Sequence, residues 1–197
     1  MMDMADVVDD IYLRHDAQAA HTFVVAVDGG GGAGKSTFAD ALALRLGGAP
    51  VVRTDDFATW DVPLRWAPRF LEQVLEPVAR GDVVRYQRSD WQTRTLMDWI
   101  EVTPSHFLVI EGVGASQSLF VPFISYAVWI ATDRDERLRR GIQRDGSAMA
   151  GEWARWMSEE DEYFERESPV NRADAVVRGD APLPRSEPRL GTDTPLT

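Results

Sequence analysis

The run Gly29-Gly30-Gly31-Gly32-Ala33-Gly34-Lys35-Ser36-Thr37 satisfies the spacing G-x-x-x-x-G-K-[ST]. Residues of these types in this order can cradle phosphate. Glycines let successive backbone N–H groups turn inward around phosphate oxygens without a Cβ in the way. A helix starting at Lys35 would add the positive end of its dipole. Lys35 can bridge β- and γ-phosphates as a compact charge, and Ser36 can ligate Mg²⁺. The ligand this chemistry implies is a nucleoside triphosphate with Mg²⁺. A bland alternative is a flexible glycine turn, and the apolar strand before and helix pattern after argue against it.

What happens to the phosphate depends on other groups. An N-K-x-D guanine reader is disfavoured, because the chain has one asparagine, Asn171, and no lysine besides Lys35. A transporter-type glycine signature is also missing downstream. Transfer to a small acceptor needs a carboxylate for the acceptor hydroxyl, an acid for Mg²⁺ and cations over the moving phosphoryl group. Asp55, in Arg53-Thr54-Asp55-Asp56-Phe57, is the candidate base; capping of a turn by Asp55 or Asp56 is the competing reading. Glu111, ending Val109-Ile110-Glu111-Gly112, suits a Mg²⁺-supporting role, against an exposed strand-end carboxylate. Arg137, Arg140 and Arg144 recur at i, i+3, i+7 and share a helix face. They suit a triphosphate, or else form a solvated face paired with Asp133, Asp135 and Glu136.

These residues need elements to hold them. Apolar spacing predicts helices over 4–20, 35–46, 68–80, 133–145 and 152–166, the last with Trp153, Trp156, Met157 and Phe164 inward. Short buried strands are predicted at 23–27, 50–53, 107–110, 124–130 and 175–177. Strands alternating with helices imply an α/β fold with a parallel sheet covered on both faces. Asp55 and Glu111 would then sit at the carboxyl edge of the sheet, where such folds place ligands. Residues 180–197, with four prolines and few apolar residues, read as a disordered tail.

Composition bounds the rest. The chain has 197 residues, with 21 Lys+Arg against 32 Asp+Glu and a formal charge of −11. That length fits one domain. The charge argues against nucleic acid and anionic membrane as partners. No Cys is present, and His15, His21 and His106 are too scattered for a metal motif. No targeting segment or membrane-length apolar run is legible, so a cytoplasmic location is expected. Composition leaves self-association into a homo-oligomer open.

In order along the chain, Val27-Asp-Gly-Gly-Gly-Gly-Ala-Gly-Lys-Ser-Thr37, Thr54-Asp-Asp-Phe57, Ile110-Glu-Gly-Val113 and the arginine helix ending at Asp145 resemble the uridine kinase family. More widely they resemble the uridine kinase, phosphoribulokinase and pantothenate kinase group of P-loop small-molecule kinases. The resemblance covers roughly residues 22–178. It implies a three-layer kinase fold over 1–179, with a lid at about 146–160 and an acceptor-covering segment at about 57–105. It implies ATP and Mg²⁺ as cofactors and a small hydroxyl-bearing acceptor of nucleoside type. Asp55 would act as base, Glu111 would lie near Mg²⁺, and Arg137, Arg140 and Arg144 would lead into the lid. Asp56, Phe57, Trp60, Asp61, Tyr86, Asp90 and Trp91 would face the acceptor; a core role for the aromatics is the competing reading. A P-loop ATP-binding or NTPase module without an acceptor is the alternative function.

Overall fold

The computed structural model describes residues 1–16, 21–59, 65–91, 93 and 95–180. Among these, seven strands occur: β1 (Phe23–Asp28), β2 (Val51–Arg53), β3 (Val84–Ser89), β4 (Leu96–Val102), β5 (Phe107–Glu111), β6 (Tyr126–Ala131) and β7 (Ala175–Arg178). The α-helices are α1 (Met4–Asp16), α2 (Lys35–Arg45), α3 (Ala67–Phe70), α4 (Glu76–Arg80), α5 (Arg134–Asp145) and α6 (Ala150–Glu167).

Five strands form one parallel sheet in the order β2-β5-β1-β6-β7. β1 lies at its centre, and all six of its residues are buried. Alternate side chains of a strand point to opposite faces. Accordingly Phe23, Val25 and Val27 pack with Val7, Ile11, Phe38 and Leu42 of α1 and α2. Val24 and Ala26 pack on the other face with Phe70, Val74, Trp153 and Met157. This is the three-layer α/β arrangement that the alternating pattern implied. Register places Val27 beside Glu111 and Arg53 beside Glu111, so the acid and base sites share one sheet edge.

Two local features depart from a simple reading. Residues 67–80 run as one helix with a wide turn at Leu71–Leu75, where the Glu76 N–H reaches back to the Leu71 carbonyl. Pro77, which has no N–H to give, follows at once. The second feature is the antiparallel hairpin β3–β4. It escapes a sequence reading because Leu96, Met97, Asp98 and Trp99 are consecutive and all exposed, with no alternation to mark a face. Among the described residues, no helix is long and apolar enough to cross a membrane.

Candidate active site

A cleft of about 860 Å³ opens at the carboxyl edge of the sheet. One wall is the glycine loop and the start of α2: Gly31, Gly32, Gly34, Lys35, Ser36 and Thr37 line it. The loop is fixed from beneath. Asp28, fully buried, accepts hydrogen bonds from the N–H groups of Gly29, Gly114 and Ser116 and from the hydroxyls of Ser116 and Tyr163. Gly32 has φ of 76°, and a Cβ there would lie 2.4 Å from the Arg137 carbonyl oxygen, so this turn requires glycine. Lys35 is only 7% exposed and donates from Nζ to the Gly30 carbonyl at 2.9 Å.

The floor carries the acids. Glu111 is buried rather than an exposed strand end. Its Oε1 accepts from the Ser36 hydroxyl at 3.3 Å, and its Oε2 accepts from Arg53 Nη1 at 2.9 Å. Burial pushes its carboxyl above the ordinary range; Lys35 opposes that rise, the charge of Asp55 adds to it, and Arg53 opposes it. Asp55 follows β2 on a short helical turn (Thr54–Asp56) and is exposed in the same cleft. Ser36, Glu111 and Asp55 are thus brought together as the spacing suggested. A Mg²⁺ ion fits this chemistry, since an exposed hydroxyl is hydrogen-bonded to a carboxylate beside the phosphate loop. Among the described residues, no group of three or more His, Cys, Asp or Glu forms a metal cluster of its own, so the phosphate oxygens of a bound nucleotide would have to complete the ligand set.

The rim is α5, started by Asp133, whose carboxylate accepts from the Asp135 N–H. Arg140 and Arg144 line the cleft. Arg140 donates to Glu136 at 2.7 Å and to the Gly179 carbonyl at 3.2 Å. Arg144 donates twice to Asp145, and this hydrogen bonding holds the Asp145 carboxyl below its ordinary range. Arg137 corrects the sequence reading. It is buried under the loop with its Nη1 on Glu160 at 2.6 Å, outside the cleft. Shared helical spacing does not bring it alongside Arg140 and Arg144, because α6 packs against the base of α5 and captures the guanidinium.

The far wall is aromatic: Trp91, Trp153 and Trp156 line it. The Trp91 and Trp156 rings lie 5.6 Å apart. Each indole N–H is engaged: Trp91 with the Asp55 carbonyl, Trp153 with Asp145 and Trp156 with Glu160. Hydrogen bonds of this kind fix ring orientation, and only a small part of Trp153 and Trp156, at 3% and 7% exposed, reaches the cleft surface.

Other expected acceptor contacts fall elsewhere. Phe57 and Tyr86 are core residues, stacked on each other at 5.2 Å and buried among Trp66 and Phe70. Asp56 is half-buried and accepts from the Tyr86 hydroxyl at 3.0 Å, and burial raises its carboxyl. Here the competing core reading holds. Asp90 accepts from the Thr93 N–H and donates its own N–H to the Thr95 carbonyl, closing the β3–β4 turn. Trp60 and Asp61 lie outside the described residues. The segment expected as a lid, 146–160, is mostly helix: a short turn at Ser147–Met149 leads directly into α6. Trp153, Trp156, Met157 and Glu160 anchor that helix in the core.

Sequence reasoning missed Glu160 and the cleft-facing role of Trp153 and Trp156. One signal was available. Glu160 falls on the apolar stripe of α6 with Trp153, Trp156, Met157 and Tyr163, and a carboxylate on a buried stripe needs a partner.

No protein-family model matches the chain, and no curated protein matches it by sequence. Solved structures do match. A possible uridine kinase from Bacillus stearothermophilus aligns with a TM-score of 0.62 at 24% identity, over 89% of this chain and 99% of that one. A candidate fructose transport system kinase from Silicibacter sp. TM1040 aligns with a TM-score of 0.63 at 19% identity, over 90% of this chain and 100% of that one. The chain therefore shares the fold of these two structures over about nine-tenths of its length.

Proposed function

We propose that this protein is an ATP-dependent kinase that transfers the γ-phosphoryl group to a hydroxyl of a nucleoside or similar small molecule. One observation carries the reading: an exposed carboxylate, Asp55, shares a cleft with a complete phosphate loop, and a wall of tryptophans faces them. Both structural neighbours are named as kinases, which agrees with the reading.

The chain's own groups divide the work. Loop amides and Lys35 hold the β- and γ-phosphates. Ser36 and Glu111 would hold Mg²⁺, which when bound neutralises charge on the phosphate oxygens. Asp55 accepts the proton of the acceptor hydroxyl as its oxygen bonds to the γ-phosphorus and the bond to the bridging oxygen of ADP breaks. Arg140 and Arg144, on the rim, exchange their carboxylate partners for the moving phosphoryl group. Catalysis is positioning and charge neutralisation rather than covalent chemistry by the protein.

The test is ATP turnover measured with and without a panel of nucleosides and small alcohols, with products weighed by mass spectrometry. Stimulation by one acceptor together with its phosphorylated form supports a kinase. Turnover indifferent to every acceptor supports the NTPase alternative instead.

A further inference from the structure

Glu160 belongs to none of the motifs that carry the proposed reaction, yet it is fully enclosed beside the cleft, at 0% exposure as is Asp28. Its two oxygens do different things. Oε2 accepts from Arg137 Nη1 at 2.6 Å. Oε1 accepts two bonds at once, from the Gly31 N–H at 2.6 Å and from the Trp156 indole N–H at 2.5 Å. Gly31 belongs to the phosphate loop and Trp156 to the aromatic wall, and both line the cleft.

A buried ion pair is a poor way to gain stability, because desolvation offsets most of the attraction. An apolar pair of similar volume in place of Glu160 and Arg137 would pack here as well. What it could not do is tie two working surfaces to one atom. The connection continues further. Trp156 lies against Trp91, and the Trp91 indole donates to the Asp55 carbonyl at 2.9 Å. An unbroken line of contacts therefore runs from the Gly31 amide, through Oε1 of Glu160, Trp156 and Trp91, to the backbone of the candidate base. There is little slack at its start: a Cβ on Gly31 would stand 3.0 Å from Glu160 Oε1 and 3.1 Å from the Trp153 ring.

We infer that Glu160 is a positioning residue that couples the phosphate loop to the acceptor wall. A nucleotide that shifts Gly31 moves the acceptor of the Trp156 N–H with it, and the acceptor wall is set by the state of the phosphate site. By linkage the coupling is reciprocal: an acceptor that orders Trp156 also favours the nucleotide-binding form of the loop. The inference rests on the nucleotide-binding part of the proposed function but not on phosphoryl transfer.

The test uses the full chain labelled with ¹⁵N. Its seven tryptophans report as indole N–H resonances, with those of Trp91 and Trp156 assigned by Trp91→Phe and Trp156→Phe. Mg²⁺ and ATP are titrated in, and glycine amide resonances report binding independently. We expect the Trp156 indole resonance to move with ATP in the wild type. In Glu160→Met combined with Arg137→Met, which removes the acceptor of both N–H groups without leaving a buried guanidinium alone, it should move by less than half as much, with ATP affinity within about tenfold of wild type, the scale of one lost hydrogen bond. Glycine amides that respond to ATP while Trp156 does not, or a shift kept above half in the double variant, would overturn the coupling alone. Absence of ATP binding would overturn both the coupling and the nucleotide reading. Should the double variant fail to fold, Trp156→Phe breaks the same line one contact later. The Trp91 shift on ATP should then fall below half its wild-type size, and a retained shift would contradict the inference.

Discussion

The two halves of the cleft are built on different principles. The phosphate half consists of backbone amides, one lysine and acids at strand ends, all within a few residues of β1, β2 and β5. Its buried Lys35 and Glu111 are hydrogen-bonded: Lys35 to the Gly30 carbonyl, and Glu111 to Ser36 and the partly exposed Arg53. The acceptor half consists of indole rings delivered by the β3–β4 turn and by α6, each held through its N–H. One half binds a ligand of fixed chemistry with short-range sequence; the other shapes a surface with contacts that span the chain. Substitutions should therefore separate into those that abolish the reaction and those that redirect or loosen it.

The largest effect is expected in the phosphate half. Lys35→Ala should lower ATP-dependent turnover by about 10³–10⁵-fold, the range over which a cation acts in phosphoryl transfer. No second lysine exists to replace it. Steady-state kinetics check this, and an active variant would remove the phosphate half from the account. Next comes the junction of the halves. Asp55→Asn should cut kcat by about 10²–10³-fold while leaving ATP affinity within about twofold, as for loss of a general base. Weakened ATP binding with intact kcat would move Asp55 into the phosphate half.

Effects in the acceptor half should be smaller and structural. At Gly141, on α5, a Cβ would lie 2.4 Å from the Trp153 ring. Alanine raises helix propensity by about 1 kcal/mol, but overpacking costs about 1–3 kcal/mol. Gly141→Ala should lower stability by up to about 2 kcal/mol in chemical denaturation and raise the acceptor KM by more than the ATP KM. An ATP KM raised as much as the acceptor KM would show that the halves are less separable than drawn.

The smallest effect concerns pH. Burial raises the Glu111 carboxyl in the folded state, so the fold binds its proton more tightly than the unfolded chain does. The stability this contributes is complete below the ordinary carboxylate range and is lost as pH rises through the raised value. Glu111→Gln has no such loss. Its melting temperature relative to wild type should therefore climb as pH increases from about 4 towards neutrality, by a few degrees at most, since about 1 kcal/mol moves a domain this size by roughly 2–4 °C. A constant difference across pH would contradict the assigned cause.

The contrast between halves also accounts for what the sequence made legible. The phosphate loop, Asp55 and Glu111 are local: each sits at a strand end, and strand ends converge once the sheet is parallel. Arg137 departs from its expected place because helical spacing reports which face a residue shares, not which neighbouring helix packs against that face. Phe57 and Tyr86 went the same way, since an aromatic near a site carries no mark separating wall from core. The β3–β4 hairpin was silent because its second strand lacks alternation. The apolar stripe of α6 marks Glu160 as a carboxylate in need of a partner, but not which partners, since Gly31 and Arg137 lie 129 and 23 residues away along the chain.

The central claim is that phosphate leaves ATP for a hydroxyl. Phosphorus-31 NMR of ATP and Mg²⁺ with the wild-type protein and the most stimulating acceptor tests it most directly. The account predicts that the γ-phosphorus signal reappears as a phosphate monoester of the acceptor, in equal amount to the ADP formed. Reappearance as inorganic phosphate, at a rate no acceptor changes, would contradict it.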